Sequence, residues 1–171
     1  NAVWFDLAKG LPYWDEVLPI NVKKFKTFSS YRRNILRKVN SFGAQIAVQP
    51  TFSREFYHGD SLVRASNAFH KVSSVGDMSN RNWLKKTLAD GWHTDLIPAS
   101  TQIMTELERN AEFFSGISGK PCKIVYPKLD LPQTVSSNIW KNREYYVLFP
   151  GVGSAIRQWS VESFAEIANR I

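Results

Sequence analysis

The chain has 171 residues, 43% of them hydrophobic and 22% charged, with a formal net charge of +7. That length suits one domain with a core, or one domain and part of a second. The balance is that of a globular protein rather than a disordered one, and no apolar run approaches the roughly 20 residues a bilayer demands. Cys122 is the only cysteine, so no internal disulfide can form, no zinc site is indicated, and a reducing cytoplasm fits best.

In chain order, Ala2 to Phe5 is a short apolar run. Val17 to Val22 is another, broken by Pro19, which suits an edge strand or a strand start. Between Asn21 and Asn40 stand Lys23, Lys24, Lys26, Arg32, Arg33, Arg37 and Lys38, with no acidic residue. Ile35, Leu36, Val39 and Phe42 give that stretch an apolar helical stripe, and Gly43 is placed to end it. A core-packed helix with a solvated basic back explains this pattern. So does attraction to a polyanion or an anionic membrane surface. No nucleic-acid-binding signature accompanies the charge, and no nucleic acid is expected.

Ala44 to Gln49 reads as a strand ended by Pro50. A polar and aromatic connection follows, and Asp60 is placed to cap a helix running to Ala68. "HKVSSVGD" reads as a strand and turn, "NRNWLKKTLADGW" as a short helix, and "TDLIP" as a strand. Thr101 to Phe114 has an apolar face of Ile103, Met104, Leu107, Ala111 and Phe114, and Gly116 is expected to stop it. Cys122 to Tyr126 reads as a strand. The next stretch has no periodicity, two prolines and two serines, so it reads as a linker. This alternation predicts an α/β fold, a Rossmann-like parallel sheet with flanking helices.

The last stretch, "YYVLFPGVGSAIRQWSVESFAEIANRI", carries the most chemistry. Tyr145 to Phe149 is apolar and bounded by Pro150, as for a strand buried on both faces. Gly151 and Gly153 permit close backbone approach. Ser160 is a good N-cap, with Trp159 and Phe164 spaced for a hydrophobic staple. A strand, a glycine loop and a helix start aim free N–H groups and a positive dipole end at one spot, which suits a phosphate, and Arg157 would add a cation. An ordinary strand-to-helix turn with a solvated Arg157 fits the same residues.

Pro150, Gly151, Gly153, Ser154, Arg157, Trp159 and "FAEIA" together resemble the closing segment of glycosyltransferase family 9, the ADP-heptose:lipopolysaccharide heptosyltransferases. The sequence departs from that family at Ser160, where a proline is usual. "WDEVLPINVKKF", "IAVQPTFSREFYHGDSLVRASNAFHKVSSVGD" and "ELERNAEFF" resemble further family segments more loosely, in the same order. The resemblance implies the N-terminal half of a GT-B glycosyltransferase plus the start of its second domain. The first strand would be missing from an acceptor-side domain over 1–127, with a linker over 128–143 and a truncated nucleotide-sugar domain over 144–171.

It further implies inverting, metal-independent transfer of a heptose from a nucleotide sugar, ADP-heptose, to a lipopolysaccharide core or related glycan, with no cofactor. The setting would be cytoplasmic, peripheral at the inner face of the bacterial inner membrane, with membrane contact through Lys23–Lys38. Gly151, Val152, Gly153, Ser154 and Arg157 would bind the donor phosphates. The general-base aspartate would lie outside this chain, so its catalytic residue is unknown, and a fragment of this kind would not turn over alone.

Because ligands of open α/β sheets lie beyond the carboxyl ends of strands, Thr51, Ser53 and Arg54 are acceptor-side candidates. Arg54 also fits a surface salt bridge. His58, His70 and His93 are dispersed and read as ordinary surface or packing residues, and Phe52, Phe56 and Tyr57 read as core. A second functional class stays open: a non-catalytic basic anion-binding module.

Overall fold

The computed structural model describes residues 4–126, 144, 146–152, 156 and 158–170. The chain divides into two compact units, Asn1–Leu129 and Asp130–Ile171. The linker expected over 128–143 lies outside the described residues.

The first unit holds three parallel strands in the order β1 (Ile46–Gln49), β2 (His70–Ser74) and β3 (Asp95–Ile97). Val48 pairs with Val72, and Val72 in turn with Asp95. Helices intervene: α1 (Phe5–Lys9) and α2 (Ser30–Ser41) precede β1, α3 (Ser61–Ala65) joins β1 to β2, α4 (Trp83–Asp90) joins β2 to β3, and α5 (Glu106–Ser118) follows β3. The sequence expectation of an α/β fold with a parallel sheet and flanking helices holds at this level. No helix among the described residues is long and apolar enough to cross a membrane.

Local chemistry sets the helix ends. Ser29 caps α2 by accepting from the Arg32 amide at 3.0 Å, and Gly43 leaves the helix at φ +59°. The helix is shorter than the basic segment: Lys23, Lys24 and Lys26 sit on turns before it, anchored by the buried Phe25. Thr105 and Glu108 form a reciprocal capping box at the start of α5. Thr101 to Met104 therefore precede the helix, and Ile103 is fully exposed. Gly116 does not stop α5. It is an interior position where a Cβ would overlap the Ile97 side chain, so glycine lets the helix approach β3 closely. Gly119, at φ +66°, is the actual stop.

Three expected strands are absent from the described residues. In Val17–Val22 the amide of Asn21 donates to the Tyr31 hydroxyl at 2.9 Å instead of a neighbouring strand. After α5, Ser115 Oγ captures the amide of Cys122 at 2.8 Å and turns the chain back on the helix end, leaving Ile124 and Val125 exposed. In the second unit, Tyr146 to Phe149 is unpaired, and Val147 and Phe149 are 78% and 82% exposed. A strand is buried on both faces only when neighbours supply the ladder, and the described residues of this unit supply none.

The apolar core of the first unit is small: Phe25, Val63, Ala68, Ala89 and Phe113. Phe52, Phe56 and Tyr57 are outside it, half-buried or exposed. Much of the interior is polar instead, including Arg54, Asp60, Ser73 and Arg81.

Candidate functional site

Parallel strands bring all three carboxyl ends to one edge, and the loops that leave them surround a cavity of about 680 Å³. Phe52 and Ser53 come from the loop after β1, Gly76 and Asp77 from the loop after β2, and Ser100 and Gln102 from the loop after β3.

The loops are stapled to one another. Gly76 has φ +62°, and a Cβ there would overlap the Phe52 carbonyl oxygen, so only glycine lets the first two loops touch. Asp77 accepts from the Ser53 hydroxyl at 3.0 Å and from the Ser79 amide and hydroxyl at 3.1 and 2.5 Å. Asn80 Nδ2 donates to the Ser53 carbonyl at 2.8 Å. Partial burial works against the Asp77 charge. The Ser79 and Ser53 hydrogen bonds and the Arg81 cation outweigh it and hold this carboxyl below its ordinary value.

Arg109, reaching from α5, secures the third loop. Its guanidinium lies 3.9 Å from the centre of the Phe52 ring, donates to the Ser100 carbonyl at 2.7 Å and to the Gln102 carbonyl, and pairs with Glu112 at 3.1 Å. Lys86, from α4, also lines the cavity, with Nζ 2.6 Å from Asp90.

A buried ionic cluster adjoins this edge. Asp60 is fully buried and receives Arg81 Nη1 at 3.1 Å, with Arg54 Nε at 3.6 Å. Arg54 pairs in addition with Asp90, and the Arg81 guanidinium holds the carbonyls of Val75 and Asp77. Asp60 is therefore not a helix cap. A π-helical turn over Phe56–Asp60 runs directly into α3, Asp60 has helical dihedrals, and its carboxylate serves the two arginines. The expected helix also ends at Ala65 rather than Ala68.

The His93 side chain is buried as well, with Nδ1 2.8 Å from the Ala89 carbonyl and Nε2 3.9 Å from Asp60. Desolvation lowers its proton affinity and the Arg54 charge adds to that, against the opposing pull of the Ala89 carbonyl, Asp60 and Asp90. Arg54 Nε, Asp60 Oδ1 and His93 Nε2 make no hydrogen bond.

The acceptor-side candidates thus separate. Ser53 lines the cavity, and its hydroxyl is engaged by Asp77. Thr51 is exposed on the same loop and does not line it. Arg54 turns inward, with a side chain of zero exposure, so it is no surface salt-bridge residue. Gly76, Asp77, Lys86 and Arg109 complete the cavity without having been selected from sequence. Scanning the carboxyl end of every strand, rather than the first alone, would have reached "VGD" after β2.

In the second unit, Gly151 and Val152 are exposed and belong to no helix or strand, while Gly153, Ser154 and Arg157 lie outside the described residues. The helix start behaves as its sequence requires. Ser160 Oγ accepts from the Ser163 amide at 3.1 Å, and Trp159 meets Phe164 edge-on at 5.7 Å, ahead of α6 (Val161–Arg170). Among the described residues no group of three or more His, Cys, Asp or Glu side chains is arranged to hold a metal ion. Comparison with protein-family models, curated proteins and solved structures finds no match to this chain.

Proposed function

We propose that this chain belongs to an inverting, metal-independent GT-B glycosyltransferase that moves a heptose from ADP-heptose to a lipopolysaccharide core or a related bacterial glycan, at the cytoplasmic face of the inner membrane. The observation that carries the reading is the closing segment, where Pro150, Gly151, Gly153, Ser154, Arg157 and Trp159 stand in the order and spacing of a family 9 donor loop. The capped and stapled start of α6 supports it, because a diphosphate leaving group gains charge as the glycosidic bond breaks and a helix N-terminus opposes that charge.

On the acceptor side, the cavity at the sheet edge offers what a sugar needs. Ser53, Asp77, Ser100 and Gln102 supply hydrogen-bonding groups, and Phe52 and Met78 supply apolar surface. Lys86 adds a cation toward an anionic core substituent. The proton of the attacking hydroxyl would pass to the aspartate that the family resemblance places outside this chain.

The test uses the product of the complete open reading frame. Incubated with radiolabelled ADP-heptose and a heptose-deficient lipopolysaccharide, it is expected to label the lipopolysaccharide. Failure to transfer from ADP-heptose or from any of a panel of nucleotide sugars, with no donor binding by calorimetry, would remove this reading in favour of a non-catalytic anion-binding module.

A further inference from the structure

A second cavity, about 420 Å³, lies between α2, α3 and Trp92, and its walls include Arg32, Arg64, Leu36, Phe56 and Tyr57. We propose that it binds a phosphate monoester carried on an apolar or planar body.

The two arginines are held in a way that prepares them for an anion. Arg32 is nearly buried. Its guanidinium lies 4.6 Å from the centre of the Phe25 ring and gives one N–H to the Tyr57 carbonyl. Arg64 lies 4.5 Å from the centre of the Trp92 ring. Stacking uses the faces of a guanidinium and leaves its edge donors free, so the aromatic rings fix orientation without consuming hydrogen bonds.

Among the described residues neither arginine has a carboxylate within 4.0 Å, whereas Arg54, Arg81, Arg109 and Arg170 all do. Glu55 acts on Arg32 electrostatically but is itself paired with His58. Both cations line one concavity, and an anion seated in it would take charge-assisted hydrogen bonds from their free edge donors. The remaining wall is aromatic and aliphatic, which gives a ligand body apolar surface to cover. The inference rests on these side chains and not on the transferase reading.

A soluble phosphate ester and a lipid headgroup share this chemistry, and the test separates them. The 171-residue chain is titrated with phenyl phosphate and with inorganic phosphate by calorimetry. Phenyl phosphate is expected to bind more tightly, because only it fills the aromatic wall. Arg64 is exposed, so R64Q should fold normally, and it should weaken phenyl phosphate about tenfold, the scale of one charge-assisted hydrogen bond. R33Q removes a charge from the exposed side of α2, the helix that carries Arg32, and should leave the affinity unchanged.

Vesicles containing phosphatidic acid supply the second arm. Binding that phenyl phosphate competes away assigns a lipid headgroup, and phenyl phosphate binding without vesicle binding assigns a soluble ester. Equal losses in R64Q and R33Q would reduce the effect to diffuse charge and overturn the proposal. So would an affinity for phenyl phosphate no greater than for inorganic phosphate.

Discussion

Asp60→Asn isolates the contribution of the buried cluster. The substitution keeps the shape of the side chain and removes one charge. In the native chain that charge faces Arg81 Nη1 at 3.1 Å and Arg54 Nε at 3.6 Å, with all three side chains at zero exposure. Breaking a buried pair by neutralising one partner costs about 3–5 kcal/mol, because the surviving charge is left desolvated and uncompensated. The expected loss lies near the lower end, about 3 kcal/mol, since Asp90 still pairs with Arg54 and lies 3.9 Å from Arg81.

Against the roughly 5–15 kcal/mol that holds a domain together, this is a large change. Urea unfolding followed by tryptophan fluorescence measures it, with the m-value watched for a change in the unfolded reference. Asp95→Asn is the matched control. Asp95 lies on β3 of the same unit, but the basic group facing it, His70 Nδ1, is 3.9 Å away and both side chains are 54% exposed, so about 0–1 kcal/mol is at stake. If Asp60→Asn costs no more than Asp95→Asn, solvent reaches the cluster and the closed-network reading fails. The argument concerns breaking the pair, not its net worth. Asp60→Leu combined with Arg54→Met should cost less than the two single changes added together.

His93 gives a pH signature. Burial lowers its proton affinity in the folded chain, so the unfolded chain takes up the proton first, and stability should fall as pH drops below about 6.5, by up to about 1.4 kcal/mol per pH unit for one proton. His93→Asn should flatten that limb of the stability profile, and an unchanged slope would show that His93 titrates freely. Gly76→Ala forces an alanine into φ +62° and against the Phe52 carbonyl, so it should lower the urea midpoint by at least about 1–2 kcal/mol equivalent, whereas Gly10→Ala, where a Cβ at a normal φ would meet only ordinary van der Waals contacts, should not. On the transferase reading, Arg157→Ala in the full open reading frame product should cut kcat/KM roughly tenfold to a hundredfold with ADP-heptose, and Arg157→Lys should retain more; full activity in the alanine variant would leave the proposed donor loop to its backbone alone.

What could be read from the sequence was what short-range physics decides. The strands at Ala44–Gln49, "HKVSS" and "TDLI" are short stretches set between turn or helix signals, and each has a partner in the sheet. Ser160, Trp159 and Phe164 form the cap and staple that their spacing requires. Where a long-range contact decides, local pattern misleads. The Thr101–Phe114 stripe has helical spacing through Ile103, yet the Thr105–Glu108 capping box fixes the start later, and the role of Gly116 is visible only once Ile97 lies beside it. "CKIVY" has the composition of a strand and, among the described residues, no neighbour to pair with.

Arg54 carries that lesson to the site. Its position after β1 on a parallel sheet is where ligands are met, and its charge suggests an anion. Its fate is set by Asp60, Asp90 and His93, which lie 6, 36 and 39 residues further along the chain and reach it only through the π-helical turn before α3 and the end of α4. No periodicity encodes that meeting. The residues left facing the cavity are those whose polar groups bind the three loops together: Ser53 with Asp77, and Arg109 with the carbonyls of Ser100 and Gln102. A carboxylate held in three hydrogen bonds and an arginine clamped by two carbonyls and a ring cannot move far to meet a ligand. The edge is therefore a preformed surface, and a ligand bound there would be left the spare acceptor capacity of Asp77, Lys86, and backbone groups that the staples hold in place.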